Sequence, residues 1–294
     1  MERQLWPVLY HEMRATGERV RQKYVSHPPW AIAAVLVWAA LHDRPVSWAC
    51  DPDHWAATAL RPHRLPSAAT VSRRAKRVGF AVFLNALTDR LRGGGLPGLV
   101  LAVDGKPLLV GGCTHDPDAK YGHAAGHKGK GYKLHAVWGR RPLPEAWEVT
   151  PLNAAEVRVA ERLAGQLTGG GYVTADAGYD ANGVFDRFAE RGYQVVTPQV
   201  DPNPGTGHHY QSPARLRGIA LWRSGFGRAV YRCRVGIEGA FGNATSFAGG
   251  LGPLPAWVRR LGRVQRWVWA KLAINAARIR LRTAQRQRLT TPLQ

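Results

Sequence analysis

The hydrophobic pattern of the chain changes at a run of three glycines, Gly93–Gly95. This change indicates that the residues before and after the run form different kinds of secondary structure. Residues 1–95 carry helical periodicity and almost no strand signal, with breaks at prolines. Residues 96–294 alternate short apolar runs with helical stretches, which is the order typical of a sheet layered with helices. The sequence therefore predicts a small all-α domain followed by an α/β domain.

The second part of the chain contains apolar runs that predict strands and longer periodic stretches that predict helices. The strands are expected at Leu99–Gly105, Leu108–Cys113, Tyr132–Trp138, Tyr172–Ala175 and Gln194–Thr197, and the helices at Asn153–Leu167, Asn182–Glu190, Tyr231–Phe247 and Trp257–Arg286. Between them, residues 198–230 are rich in Pro, Gly and His. That composition predicts a short irregular insertion in the α/β domain.

The charge of the chain narrows its partners. Lys and Arg number 41 against 20 Asp and Glu, which gives a formal net charge of +21. A folded chain with this excess attracts polyanions through electrostatic steering and counterion release. Membrane-surface and ribosome-associated proteins carry similar charge. The composition therefore indicates a polyanionic partner, with nucleic acid as the first candidate, and it does not indicate an activity.

A basic stretch after Ser67 is the candidate DNA-reading helix. The sequence AATVSRRAKRV predicts an N-capped helix that begins with small residues and ends with basic ones. Such a helix can enter a major groove, so Arg73, Arg74 and Lys76 are candidate DNA contacts of a DNA-binding domain over residues 1–95. A solvated basic face explains the same pattern equally well.

The cysteines and the apolar runs favour a cytoplasmic protein. Cys50, Cys113 and Cys233 are far apart, without the paired spacing of a zinc site, and a reducing compartment fits them. The first residues lack the basic-then-apolar layout of a signal peptide. The longest apolar run, Trp30–Leu41, is shorter than the roughly 20 residues that span a bilayer, and it predicts a buried helix.

Three carboxylates occupy notable places in this order of elements. Asp104 and Asp176 each follow a buried strand, and Glu238 lies on a helix within a basic segment. Taken singly, the first fits a turn, the second a helix cap and the third an exposed helix face. Together they fit a metal site, because Mg²⁺ is held by a few carboxylates and two such ions can activate the attacking oxygen and neutralise the leaving oxygen in phosphoryl transfer.

Three motifs carry a resemblance to a known family. The carboxy-terminal two thirds resembles the DDE transposases of bacterial insertion sequences, which have a ribonuclease H-like fold; the matching segments are LVLAVDGKPL, VTADAGYDA and YRCRVGIEGAF. One branch of that family has Tyr, two residues, Arg, three residues, Glu, six residues and Lys. Tyr231, Arg234 and Glu238 fall on the first three positions, and Thr245 stands where the family has Lys.

The resemblance implies roles for these residues. Asp104, Asp176 and Glu238 would be the catalytic ligands of two Mg²⁺ ions, with Mn²⁺ as an alternative metal. Tyr231 and Arg234 would hold a phosphate beside the transferred strand end. Thr in place of the family Lys leaves the ligands intact but removes one charged phosphate contact.

Two further expectations come from the same resemblance. Asp180, in the second motif, competes for the place of the second acid, although it fits the start of the next helix better. The segment Gly126–Gly139 looks like the family's second and third strands and would bring Lys133 close to DNA, together with Lys128 and Lys130. A solvated basic hairpin explains the latter two equally well.

The function that the resemblance implies is transposition. The chain would bind double-stranded DNA at the terminal inverted repeats of its element and at the target, cleave it and transfer strands, as a homodimer on DNA in the bacterial nucleoid. One alternative is a ribonuclease H-like nuclease that only hydrolyses. Another is a catalytically silent DNA-binding remnant, in which the acids persist without an assembled site.

Overall fold

The computed structural model describes residues 2–20, 26–56, 58–95, 97–111, 115–124, 126–200, 210–247 and 250–290. The chain forms two compact units. The helical unit comprises Met1–Gly94, Ala244–Val258 and Gly262–Gln294, and the sheet unit comprises Gly95–Asn243 and Arg259–Leu261. Each unit therefore draws on stretches that are distant in the sequence.

The elements follow one another in a mainly helical, then mixed, then helical order. The helices are α1 (Glu2–Arg19), α2 (Pro29–Leu41), α3 (Ala68–Arg74), α4 (Val78–Arg92), α5 (Glu156–Ala164), α6 (Asn182–Ala189), α7 (Pro213–Arg223), α8 (Gly225–Arg232), α9 (Val235–Thr245) and α10 (Leu261–Thr290). The strands are β1 (Val100–Leu109), β2 (Lys120–Ala124), β3 (His127–Trp138), β4 (Ala146–Pro151), β5 (Gly171–Thr174) and β6 (Tyr193–Val196). Short 3₁₀-helices cover Trp48–Cys50, Pro52–Trp55 and Ala177–Tyr179.

The helical unit is built around α2, which is apolar on all sides and almost entirely buried. A helix of this composition is stable only inside a core. Two indoles pack against its own Trp38, whose ring stacks on Trp55 at 4.7 Å between centroids and meets the edge of Trp6 at 4.7 Å. The buried helix that the apolar run predicts is therefore present at the centre of this unit.

The last helix differs from its expected placement in the carboxy-terminal domain. From Gly262 onward α10 belongs to the helical unit. Its Lys271 Nζ is buried and donates to the Ala40 carbonyl oxygen at 2.6 Å and to Asp43 Oδ1 at 2.5 Å, where α2 ends. Val264, Val268 and Leu272 form an apolar stripe along α10 and are also buried. The sequence shows that stripe but not which core it enters.

The sheet unit contains a six-stranded mixed sheet of order β2-β3-β1-β5-β6, with β4 paired to β3. β1 runs antiparallel to β3 and parallel to β5, and β5 runs parallel to β6. The core contains Leu101, Val103 and Val173 of the strands together with Leu163 and Phe185 of α5 and α6. The predicted class, a mixed α/β sheet of ribonuclease H-like type flanked by helices, is confirmed.

The first strand corrects one prediction. The sequence predicts a break at Asp104-Gly105 between two strands, whereas β1 is continuous through it and pairs with β3 across both residues. The glycine has a packing reason, since a Cβ on Gly105 would lie 2.8 Å from Cδ of Lys133. The end of the predicted second strand, at residues 112–113, lies outside the described residues.

The predicted irregular insertion at 198–230 is also corrected. Residues 201–209 lie outside the described residues, but α7 and most of α8 fall within the rest. Each helix has a serine cap: Ser212 Oγ accepts from the Ala214 amide at 3.1 Å, and Ser224 Oγ accepts from the Gly227 amide at 2.9 Å. The helix signals were therefore present, in Ser-Pro and in Ser-Gly-Phe-Gly, beneath a composition typical of loops.

Candidate active site

Two aspartates lie side by side at one edge of the sheet unit because their strands are parallel neighbours. Ala102 of β1 is in register with Thr174 of β5. Asp104 and Asp176 each lie two residues beyond that pair, and side chains two residues apart on a strand share a face. Asp104 accepts from the Gly105 amide at 2.8 Å, and Asp176 accepts from the Gly178 amide at 2.9 Å as the cap of a 3₁₀-helix.

The glutamate comes from a helix that begins later than the sequence predicts. A single helix is expected over Tyr231–Phe247, but α8 ends at Arg232 and α9 begins at Val235. Glu238 lies in the first turn of α9. Arg234 directly precedes α9 and lies four residues, about one turn, before Glu238, and the two side chains meet at 3.0 Å.

One guanidinium joins the three carboxylates. Arg234 Nη1 donates to Glu238 Oε1 at 3.0 Å, while Nη2 lies 3.5 Å from Asp104 Oδ2 and 3.9 Å from Asp176 Oδ2. The Arg234 side chain is only 21% exposed, and its Nε is buried with no hydrogen-bond partner in the described part of the chain. The three acids thus converge on one cation, and we call these four residues the carboxylate site.

Burial raises the pKa of Asp104 above its ordinary value, because the charged form loses hydration. The Gly105 amide and the Arg234 guanidinium oppose this rise, whereas the negative charges of Asp176 and Glu156 add to it. Burial likewise raises the pKa of the nearby Tyr179 hydroxyl, and the charges of Glu156 and Asp104 raise it further. The site therefore concentrates negative charge, which a cation stabilises.

The carboxylate site offers oxygen donors for divalent metal ions, but an arginine lies among them. Within the described ranges, no three His, Cys, Asp or Glu side chains are grouped closely enough to hold an ion as they stand, and the Arg234 guanidinium lies between the acids. The donors nevertheless suit Mg²⁺, since three carboxylates from separate elements surround one cation and offer hard oxygen ligands. Glu238 is 58% exposed on its helix and has room to adjust.

Asp180, the competing second acid, lies in a different environment. Its side chain is 2% exposed and forms a bidentate pair with Arg215, from Nε to Oδ1 at 2.7 Å and from Nη2 to Oδ2 at 2.7 Å. The Val200 amide also donates to Asp180 Oδ2, at 3.1 Å. With both oxygens occupied, Asp180 joins α7 to the 3₁₀-helix before α6 and is not among the contacts of Arg234.

Lys133 lies inside the unit and not at an exposed edge. It is buried on β3, and its Nζ is hydrogen-bonded to Glu156 Oε1 at the start of α5. Lys133 lowers the pKa of Glu156 against the opposing effect of burial. Next to it, His135 Nε2 lies 3.0 Å from Thr150 Oγ1, and burial lowers the pKa of that histidine to about 4.

Glu156 is the neighbour of the site that the sequence did not reveal. It lies at the first position of α5, where the positive end of the helix dipole stabilises a carboxylate. Its charge acts on both Asp104 and Tyr179. The only sequence signal was an acidic residue at the start of a predicted helix, which is common in helices without any functional role.

The basic residues predicted to read DNA lie on and beyond α3. That helix ends at Arg74, earlier than the sequence predicts, so Lys76 follows it. Arg73 and Lys76 are exposed. Arg74 Nη2 donates to the His27 carbonyl oxygen at 3.1 Å, and burial, followed by the charge of Arg77, lowers the pKa of Arg74. Two of the three predicted contacts are therefore free to meet a ligand.

The remaining motif positions lie on α8 and α9. Tyr231 is half-buried on α8, and its ring meets the edge of Trp222 at 4.6 Å between centroids. Thr245 is the last residue of α9, about two turns beyond Glu238. At a rise of about 1.5 Å per residue these two residues are roughly 10 Å apart along the helix axis, which separates Thr245 from the carboxylate site.

The order of acids on this fold defines a class of protein. Asp, Asp and Glu, on two neighbouring strands of a ribonuclease H-like sheet and on a later helix, are the arrangement of DDE transposases. Residues 95–275 match the family described as transposase DDE domain, which is more than half of the chain, and the chain belongs to this family. Members of the DDE transposase family normally use divalent metal ions.

A solved structure gives a weaker comparison. The chain is 12% identical to a piggyBac transposase in a synaptic complex with hairpin DNA, with a TM-score of 0.32, over 75% of this chain. The match spans about half of that transposase, 53% of its length. No significant match is found among curated proteins. In the described ranges, no helix combines the length and apolar character that crossing a membrane requires.

Proposed function

We propose that this chain cleaves DNA at the ends of its mobile element and transfers the cut strands, using Asp104, Asp176 and Glu238. The observation that carries the proposal is the convergence of all three carboxylates on one guanidinium, at 3.0–3.9 Å. Three acids that merely formed a turn, a cap and an exposed helix face would not converge. Family membership supplies the reaction class, and this geometry supports the assignment of residues.

Divalent metal ions bound by these acids would stabilise the attacking and leaving oxygens of a phosphodiester. We assign Mg²⁺, with Mn²⁺ as the alternative and two as the number of ions. Asp104 is the fixed member, because it lies in the central strand and its carboxylate is hydrogen-bonded to the next amide. Glu238 is the adjustable member, because it is exposed on the first turn of a helix.

Arg234 has two roles in this proposal. Among the acids, its guanidinium lowers the repulsion between three negative charges. Towards DNA, the same planar fork can exchange carboxylate oxygens for phosphate oxygens, because both accept paired hydrogen bonds. The buried Nε without a partner in the described residues is the unused donor for such an exchange. Tyr231, three residues earlier, would contact the same phosphate.

DNA binding is proposed from charge. A net charge of +21 predicts that affinity falls steeply as salt rises, since each phosphate contact releases counterions. Exposed Arg73 and Lys76 are the contacts that we assign in the helical unit, and Arg74 contributes less because it is bound to the chain itself. Lys133 supports Glu156 and is assigned no DNA contact, which differs from the expectation from sequence.

The test is a reaction of the full chain with DNA that carries its element's flanking repeats, with Mg²⁺, with Mn²⁺ and without metal. We expect nicks at the repeat ends and joined products, both dependent on metal and absent in Asp104→Asn. Nicks without joining would identify the hydrolytic nuclease. Binding without nicks would identify the silent remnant. The specific reason to consider that outcome is Thr245, which stands where the family has Lys. A homodimer on DNA and a place in the nucleoid stay predictions.

A further inference from the structure

The helical unit contains a cavity of about 270 Å³ that the catalytic proposal does not use. It is enclosed by α2, α3, the loop after α2 and the beginning of α10, together with the segment before α10. Leu36, Val71 and Val258 form its apolar wall, and two indoles, Trp257 and Trp267, line it. Small-molecule sites begin at about 300 Å³, so the cavity matches one ring system and its substituent rather than a larger ligand.

The charged residues of this cavity all have one sign. Arg44, Arg263 and Arg266 line it, and no Asp or Glu does so among the described residues. Arg263 and Arg266 are three residues apart on α10, so they share a helix face and repel one another. Burial lowers the pKa of Arg266, and the charge of Arg263 lowers it further, while no acid offsets either effect. An anion placed between them would remove this repulsion.

The two tryptophans differ in what they can offer. Trp267 is 7% exposed, and Lys271 Nζ already lies 4.7 Å from the centre of its ring. Trp257 is 42% exposed. Exposure of the apolar surface of an indole to water is unfavourable, so a ligand that covers this ring would be stabilised. A planar apolar ligand could stack on Trp257, whereas Trp267 serves as a wall.

We infer that this cavity, the arginine pocket, binds one unstacked nucleotide of a DNA strand. The base would stack on Trp257 against the apolar wall, and its phosphate would lie between Arg263 and Arg266. Both parts of the ligand are required by the lining, because a simple anion leaves the indole uncovered and an uncharged ring leaves the arginines unpaired. The inference rests on the DNA binding of the proposed function and adds a site to it.

The neighbouring helix supports DNA as the source of the nucleotide. One face of α3, including Ala68, Val71 and Ser72, lines the pocket. At about 100° per residue, Arg73 faces nearly the opposite side of α3 from these residues, and it is exposed. Because a helix with its side chains is about 10–12 Å across, a strand bound to the basic side of α3 needs to pass only one helix width to place a nucleotide in the pocket. A free nucleotide in solution would have no such guiding surface.

The experiment compares two DNA duplexes that differ only in one unpaired nucleotide at a 3′ end. That nucleotide carries 2-aminopurine, whose fluorescence falls on stacking, and affinity is measured by competition with the full chain. We expect the overhang duplex to bind roughly tenfold more tightly than the blunt one, the scale of one stacked base. Trp257→Ala should abolish both the preference and the fluorescence change, and Trp257→Phe should keep most of each.

Charge-matched variants complete the test. Arg266→Gln should lower affinity for the overhang duplex more than for the blunt one. Arg187→Gln removes the same charge from an exposed pair with Glu190 and should lower both equally. Thermal melting verifies that each variant is folded. Equal binding of both duplexes by the wild-type chain, or an unchanged preference in Trp257→Ala, overturns the pocket alone. Binding of neither duplex overturns the proposed function as well.

Discussion

The carboxylate site and the arginine pocket are opposites in charge. In the sheet unit, three carboxylates surround the single guanidinium of Arg234. In the helical unit, three arginines line a cavity in which the described residues place no acid. The first arrangement calls for cations and the second for an anion. A net charge of +21 therefore conceals two local environments of opposite sign, and only one of them agrees with the chain as a whole.

The largest expected effect is on the cation-binding side of this comparison. Glu238→Gln keeps the volume of the side chain and removes its charge, so the chain should fold and bind DNA while strand cleavage falls about 10³-fold. Cleavage at saturating Mg²⁺, measured beside a binding assay, is the readout. Glu190→Gln, on an exposed ion pair of α6, is the control and should cut normally. Near-normal cutting by Glu238→Gln would end the assignment.

The second effect separates the two aspartates of one motif. Asp180→Asn leaves Arg215, whose side chain is 15% exposed, without its bidentate partner, and we expect the free energy of unfolding to fall by about 3 kcal/mol. Asp176→Asn should change stability little, because its side chain is 45% exposed, yet it should abolish cleavage. Denaturant unfolding and cleavage assays are run on both variants. A stable Asp180→Asn that no longer cuts would make Asp180 the second acid.

The third effect concerns protons beside the carboxylate site. His135 has a pKa of about 4 against an ordinary value of 6.5, so below pH 6.5 the unfolded chain binds a proton that the folded chain does not. The contribution of neutral His135 to the free energy of unfolding is therefore fully present above pH 6.5. It decreases by about 3 kcal/mol as the pH falls towards 4.

The measurement is the free energy of unfolding at pH 7 and pH 4.5. Replacement by glutamine, His135→Gln, should reduce the difference between the two values, because the titrating group is gone. His123→Gln, at an exposed position of β2, is the control and should retain the wild-type difference. The same difference in all three proteins would show that folding does not lower the pKa of His135.

The smallest effect tests what the one cation among the acids does. Arg234→Lys keeps the charge but offers one nitrogen in place of the two that contact the acids, so cleavage should fall roughly tenfold without loss of fold. Arg234→Gln should bind Mn²⁺ more tightly than the wild type, because it leaves the three negative charges uncompensated. Electron paramagnetic resonance of free Mn²⁺ measures this affinity. Weaker Mn²⁺ binding by the glutamine variant would contradict the view that Arg234 competes with metal.

The sequence predicted the class of fold because its evidence was local. The apolar run before Asp104 and the one before Asp176 were read correctly as strands, and helical periodicity gave α6 within a residue. The predictions failed where composition and local signal disagreed. α7 was hidden by Pro and Gly, although Ser212 caps it, and β4 was not predicted at all. β4 is short and is held by its pairing with β3, whereas α7 packs on α6, β6 and α8, and neither kind of support is visible in composition.

The candidate site divides in the same way. Asp104, Asp176 and Glu238 were predicted from their places after strands and in motifs, which the sequence shows directly, and all three side chains lie within 4 Å of Arg234. Glu156 was missed, because its effect on Asp104 depends on α5 packing against the sheet. The arginine pocket could not be found at all, since its lining runs from Leu36 to Trp267 and no single stretch of sequence contains more than a part of it.

The division into units has a consequence for dissecting the chain. The chain passes from one unit to the other after residues 94, 243, 258 and 261. A gene fragment ending near the Gly93–Gly95 run thus encodes a helical unit without α10, and the buried Lys271 would be missing from the end of α2. No single stop codon or protease cut yields either unit whole. Recombination that exchanges one unit between relatives would have to exchange three separated pieces of sequence for the helical unit, or two for the sheet unit.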